Sequence, residues 1–202
     1  MKIDTLNHKG EWCSSKESLL CQEGYCSECA VPNQKRILLD IDGVVVSYDF
    51  AELVWQKFHV RIDPSKIFAY NLSDALGVSS KAIDEMFHDQ VWGKPDFISG
   101  ALSVLNDWKS KEYEIVIYSN RVKYMGYDKL ARWLIDWGIP FSGINGGQGL
   151  YDYHIDDRPE KLRDARGKFK LLYTQPWNLQ CLNIENELIR VNNWDEIKDI
   201  VK

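Results

Sequence analysis

The stretch RILLDIDGVV, residues 36–45, constrains the fold more than any other part of the chain. It opens as a short, nearly continuous apolar run, the pattern of a strand buried on both faces of a parallel sheet. The run ends in two acids and a glycine. Residues i and i+2 on a strand point the same way, so Asp40 and Asp42 flank one site at the strand's mouth. Two like charges held there need a cation, or a charge that develops during a reaction, to offset them. Gly43 permits a sharp turn and lets backbone N–H groups approach an anion.

Further strands are predicted at YEIVIYSN (113–120), YDYHIDD (151–157) and KFKLLYT (168–174). Between them, GALSVLNDWKSK places Leu102, Leu105 and Trp108 at helical spacing. YDKLARWLIDWG does the same with Leu130, Trp133, Leu134 and Trp137, and Gly138 is a helix stop. Strand, helix, strand, helix is the signature of an α/β fold with a doubly wound parallel sheet. The interval from about Ser47 to Phe97 is too long for a simple crossover and reads as two to four helices, for example FAELVWQKFHV and SSKAIDEMFHDQVW. A small helical cap inserted after the first core strand hangs over the strand mouths, where open α/β sheets bind ligands.

Residues 1–34 differ in texture: polar, without helical period, and holding four of the five cysteines, Cys13, Cys21, Cys26 and Cys29. We read them as a separate extension, with the core spanning 35–202 and the cap about 47–97. The spacing C-x7-C-x4-C-x2-C fits a structural zinc site of four thiolates, which would supply much of the folding free energy of so short a segment. An iron–sulfur cluster, a redox pair at Cys26 and Cys29, or oxidised cysteines are the competing readings. Cys181 reads as a small buried apolar residue. The formal net charge of −5 lacks the basic footprint of a nucleic-acid binder. No window approaches the roughly 18–20 apolar residues of a membrane span, and MKIDTLNHKG has no apolar core of a secretory signal. A cytoplasmic location is the expectation.

The chemistry gathers at the strand ends. In a parallel sheet, Asp40 and Asp42 meet Ser119 and Asn120 after the second strand, and Asp156 and Asp157 after the third. Four carboxylates packed together call for a hard divalent cation with oxygen ligands, Mg²⁺ by default. A cation beside hydroxyl and amide donors describes a phosphate site, and a free carboxylate beside phosphorus can act as nucleophile. On this reading Asp40 attacks and Asp42 handles the proton.

DIDGVV, IYSN and IDDRPEKL, in this order, resemble motifs I, II and IV of the haloacid dehalogenase superfamily of phosphatases, and within it the 5′(3′)-deoxyribonucleotidases. LLYTQPWN and RVNNWDEI are similar to the stretches that follow motif IV in that group, so the likeness covers about residues 36–202. The resemblance implies a Rossmann-like core with a cap and an aspartyl-phosphate on Asp40, whose other oxygen holds Mg²⁺. It also implies that Asp42 protonates the leaving alcohol and then activates water, its backbone carbonyl on the metal. Ser119 and the backbone at Asn120 would hold the phosphoryl oxygens, Asp156 would complete the metal shell, and Asp157 would orient a metal-bound water.

One element of the pattern is missing. Motif III supplies a lysine upstream of motif IV, and NGGQGLYDYHIDD contains none. Gln148 stands at the expected position, and Lys129, Lys123 or Arg121 are the other candidates. The functional expectation is a phosphomonoesterase acting on a small phosphate ester, a nucleoside monophosphate in the first instance. A phosphatase of another small ester, such as a sugar phosphate, is one alternative. A non-catalytic phosphate- or metal-binding module without the motif III charge is the other. Phe50, Trp55, Tyr70 and Trp92 fall in the cap interval, where a base could stack on one of them or they pack the cap. His154 reads as packing or surface, and His59 and His88 as cap surface.

Overall fold

The computed structural model describes residues 34–63, 73, 76–91, 93–145, 150–163, 167–179 and 188–202. The opening apolar run forms β1 (Arg36–Leu39), and its parallel neighbours are β4 (Glu114–Ile117) and β6 (Tyr151–Asp156). The register sets Ile37 beside Ile115 and Tyr153, and Leu39 beside Ile117 and Ile155. All six of these residues are buried. Beyond them lie β5 (Gly143–Ile144) on one side, and β7 (Gly167–Tyr173) and β8 (Leu188–Val191) on the other. The sheet order is therefore β5-β4-β1-β6-β7-β8, with every pair parallel. The chain runs outward from β1 to β5, then crosses back to β6. That reversal is the switch point at which such sheets bind ligands beyond their carboxyl ends.

The largest buried cluster lies against the face that carries Ile37, Leu39, Ile115 and Ile117. Helix α3 (Ala101–Ser110) contributes Val104, Leu105 and Trp108, and α5 (Tyr127–Asp136) contributes Leu130, Trp133 and Leu134. Helix α7 (Trp194–Ile200) adds Trp194 and Ile197. Trp108 and Trp194 meet with ring centroids 5.7 Å apart, and the Trp194 indole N–H donates to the Val44 carbonyl at 2.8 Å. One buried tryptophan thus ties the last helix to the loop that carries Asp42.

That loop closes on itself. The N–H groups of Val44, Val45 and Val46 all converge on the Ile41 carbonyl, and Gly43 takes a positive φ of 80°. The chain then leaves through β2 (Val46–Ser47), which pairs antiparallel with β3 (Asp96–Phe97). The helices α1 (Phe50–Phe58) and α2 (Ser80–Val91) lie between these two strands, in the interval expected to be helical. Asp49 caps α1 by accepting from the Glu52 N–H at 3.0 Å, and Leu53, Val54 and Met86 form a small buried cluster of their own between the helices.

The three downstream strands expected from the sequence are present. The two-residue strands β2, β3 and β5 and the short β8 were not anticipated, because such brief segments show no period of their own. The link from β5 to β6 comprises only residues 145–150, shorter than the dozen or so that a helical crossover between parallel strands takes. The cysteines Cys13, Cys21, Cys26, Cys29 and Cys181 lie outside the described residues, as do Gln148, Tyr70 and Trp92.

Candidate functional site

Because β4, β1 and β6 are neighbours, their carboxyl ends bring Ser119, Asp40, Asp156 and Asp157 together. All four are buried, at 3%, 6%, 0% and 3% exposure. Each of Asp40, Asp156 and Asp157 offers a carboxylate oxygen within 4.8 Å of the others. Burial, and then Asp156, Asp157 and Asp42, push the Asp40 carboxyl well above the ordinary aspartate range. Asp156 has one oxygen on the Arg158 N–H at 2.8 Å, while its Oδ2 is buried with no hydrogen-bond partner. Three buried carboxylates within reach of one another, one of them with an oxygen that no hydrogen bond satisfies, are the donor set of a hard divalent cation. The expected Mg²⁺ fits these residues.

Asp42 stands apart from the trio. Its carboxylate, about a third exposed, accepts from Arg121 Nε at 3.1 Å and Nη2 at 3.0 Å, and from the Tyr48 hydroxyl at 2.7 Å. Arg121 Nη2 and Tyr48 Oη are themselves in contact. Arg121 is 2% exposed, and its guanidinium lies 4.1 Å above the Trp133 ring. Of the candidates for the missing motif III charge, Arg121 is therefore spent on Asp42. Lys123 pairs with Asp84 on α2 at 2.7 Å, and Lys129 is exposed on α5.

The cation that pulls against the rise at Asp40 comes from elsewhere, namely Lys161 on α6 (Pro159–Arg163). Its ammonium sits 4.4 Å over the ring of Tyr118, at the end of β4. By register Leu38, Val116 and His154 share a face, and so by alternation do Asp40, Tyr118 and Asp156 two residues on. Since α6 follows β6 and Tyr118 follows β4, Lys161 reaches across the end of β1 on the face where Asp40 points. The signal was in the sequence, in IDDRPEKL itself, four residues past Asp157; an expectation confined to the upstream side missed it.

The phosphate-binding candidates are placed differently from each other. The Ser119 hydroxyl accepts from the Arg121 N–H at 3.2 Å just ahead of α4 (Arg121–Met125), while Asn120 lines the cleft. That cleft, about 390 Å³, opens over Asp40, Asp42 and Asp157 and is walled by Phe87 from α2, Tyr124 from α4 and Trp177. Trp55 is not in this wall; it is exposed on α1, with Arg61 4.6 Å over its ring. His59 and His88 are exposed. His154 is buried at 2%, its Nε2 3.7 Å from Asp156 Oδ2, so it packs directly behind a site carboxylate.

No family model and no curated protein matches the sequence. Solved structures match the fold. A protein described as a predicted phosphatase from Clostridium acetobutylicum superposes with a TM-score of 0.56 at 16% identity, over 83% of this chain and 98% of that one. One assigned as a phosphatase in Clostridium difficile gives 0.54 at 13% identity, over 85% and 100%. One assigned as a β-phosphoglucomutase in Thermotoga maritima gives 0.50 at 11%, over 83% and 98%. At such identities the likeness is one of fold. The fold of this chain is thus the Rossmann-like α/β fold of these solved phosphatases, a six-stranded parallel sheet with a helical insert after β1.

Proposed function

We propose that the chain is a Mg²⁺-dependent phosphomonoesterase whose substrates are small phosphate esters, nucleoside monophosphates first among them. The observation that carries this reading is the buried trio Asp40, Asp156 and Asp157, with carboxylate oxygens within 4.8 Å at the mouth of the switch point. Asp40, Asp156 and the backbone carbonyl of Asp42 would hold the cation, with Asp157 beside them. When bound, Mg²⁺ neutralises the carboxylates and draws charge from the phosphoryl oxygens.

The residues then divide the chemistry. An oxygen of Asp40 attacks phosphorus, forming the Asp40 O–P bond as the bond from phosphorus to the alcohol oxygen breaks. Asp42, exposed to the cleft and fixed by Arg121 and Tyr48, gives its proton to the departing alkoxide. It next takes a proton from water, whose oxygen attacks the aspartyl-phosphate and releases inorganic phosphate and Asp40. The Ser119 hydroxyl and the backbone at Asn120 hold the phosphoryl oxygens. Lys161 offsets the charge on Asp40 that the absent motif III lysine would offset. This supports an enzyme over a binding module, the reading that the lysine-free upstream stretch favours.

The aromatic wall of Phe87, Tyr124 and Trp177 favours a base among the possible leaving alcohols, because every nucleobase offers a face for stacking. The four N-terminal cysteines belong to the same proposal as a structural zinc site in a cytoplasmic protein; elemental analysis should find one zinc per chain, lost in Cys26→Ser. The test of the function is phosphate release from 5′- and 3′-nucleoside monophosphates and sugar phosphates, with Mg²⁺ and with EDTA. Turnover that needs Mg²⁺ and vanishes in Asp40→Asn is the expected result. Binding of phosphate without turnover would establish the binding module instead.

A further inference from the structure

After β7 the chain makes one tight turn, Thr174 to Leu179, whose centre Pro176–Asn178 is a single 3₁₀ turn. The catalytic steps above do not use it, yet its side chains reach both carboxylate-bearing loops. The turn is itself fully braced. Asn178, 1% exposed, accepts from the Gln175 N–H at 3.1 Å and from Arg190 Nη1 at 2.9 Å. Its amide donates to the Tyr173 carbonyl at 2.7 Å and to the Asp157 carbonyl at 2.8 Å. A buried amide satisfied on both ends fixes the turn to the end of β6.

Two contacts then point at the site. Gln175 Nε2 donates to the Gly43 carbonyl at 2.6 Å, and Trp177 Nε1 donates to Asp157 Oδ2 at 2.9 Å. The indole also closes on Gly43. A Cβ there would overlap the Asp157 carboxylate and come within 3.2 Å of Trp177 Cζ2. Gly43 is therefore required for close approach as well as for its positive φ. The three groups pack as a stack of loop, carboxylate and indole.

We propose that Trp177 is a positioning residue of the metal site. Its indole N–H occupies one oxygen of Asp157 and fixes the carboxylate's rotation, so that the other oxygen stays turned toward Asp40 and Asp156. Partners of this kind, one step behind the ligands, typically govern metal affinity by about 10- to 100-fold. The same ring forms part of the cleft wall, so the residue that aims the metal site also touches whatever alcohol the substrate carries. The inference rests on the Mg²⁺ reading proposed above.

The test is titration calorimetry of Mg²⁺ into the substrate-free protein, comparing the wild type with Trp177→Phe, which keeps an aromatic ring but loses the indole N–H and one ring of the bicycle. The expected result is a Kd about tenfold weaker, with Trp55→Phe unchanged. A double-mutant cycle separates positioning from general packing. In an Asp157→Asn background, Trp177→Phe should weaken binding by less than about twofold, because the carboxylate it acts through is gone. Equal losses in both backgrounds, or an unchanged Kd in Trp177→Phe, would overturn the inference while leaving the metal site standing. A wild-type chain that binds no Mg²⁺ would overturn the metal reading and this inference with it.

Discussion

The two ends of the same central strands handle charge in opposite ways. At the amino end, Glu114 of β4 is met by Arg36 Nε at 2.6 Å and Asp152 of β6 by Lys168 at 2.9 Å, and the Arg36 N–H also donates to Asp152. Each acid has a cation on it, and all sit at least partly in water. At the carboxyl end, Asp40 is buried more deeply than any of these, makes no ion pair among the described residues and faces two further carboxylates. Desolvation and like charge both oppose that arrangement. A fold able to pair its acids at one end has left them crowded at the other, and this contrast supports the proposed cation at the crowded end. Asp42, paired with buried Arg121 at the same mouth, marks where that crowding stops.

The largest effect should come from removing the crowded charge. Asp40→Asn should abolish turnover by about 10⁴-fold or more, as loss of a nucleophile does, and should make the metal-free protein more stable. The sign follows from protons bound. Burial and neighbouring acids raise the Asp40 carboxyl, so between the unfolded value near 4 and the raised folded value the native state holds the extra proton. Stability of the metal-free wild type therefore falls as pH rises through that window. Thermal melts in EDTA should show this fall in the wild type and a weaker one in Asp40→Asn. A mutant melting below the wild type at pH 8 would break the comparison.

Removing a cation sharpens it from the other side. Arg121→Met strips a fully buried guanidinium from Asp42, Tyr48 and the Trp133 face. Breaking a buried pair costs about 3–5 kcal/mol; since Asp42 is a third exposed, about 2–4 is expected. Arg36→Met, at the solvated end, should cost about 1 kcal/mol or less. Urea unfolding of the two variants reads the difference directly, and equal losses would mean that the two ends are energetically alike.

How far the sequence discloses this depends on where each signal lies. β1 and β6 are legible because their apolar runs end in acids, and α3 and α5 because Trp108 and Trp133 repeat at helical spacing. The carboxylate trio follows from parallel pairing alone. The rest is long-range. Nothing local says that Arg121 turns to Asp42, 79 positions away, or that Lys161 leans across β1. Trp177 lies in a turn whose sequence, TQPWN, resembles the family without disclosing that its indole reaches back to Asp157. The missing motif III lysine is legible as an absence, whereas the reach of Lys161 toward Asp40 is disclosed only by the fold.

The smallest effect belongs to a polar contact between the cap and the mouth. Asp84 of α2 accepts from Lys123 at 2.7 Å and from the Tyr124 hydroxyl at 2.8 Å, bridging insert and core beside the cleft. These hydrogen bonds hold its carboxyl below the usual aspartate range, although it is only half-buried. The contact is therefore complete above pH 4 and is lost as pH falls through the lowered value. An exposed pair of this kind contributes little, and salt screens it. Asp84→Asn should accordingly raise KM by about two- to threefold with kcat unchanged, and 1 M salt should reproduce that rise in the wild type while adding nothing to the mutant. A fall in kcat would mean that Asp84 acts on the reacting groups through Tyr124 and Asp42. The mouth would then extend its charge design into the cap, instead of ending it at Arg121.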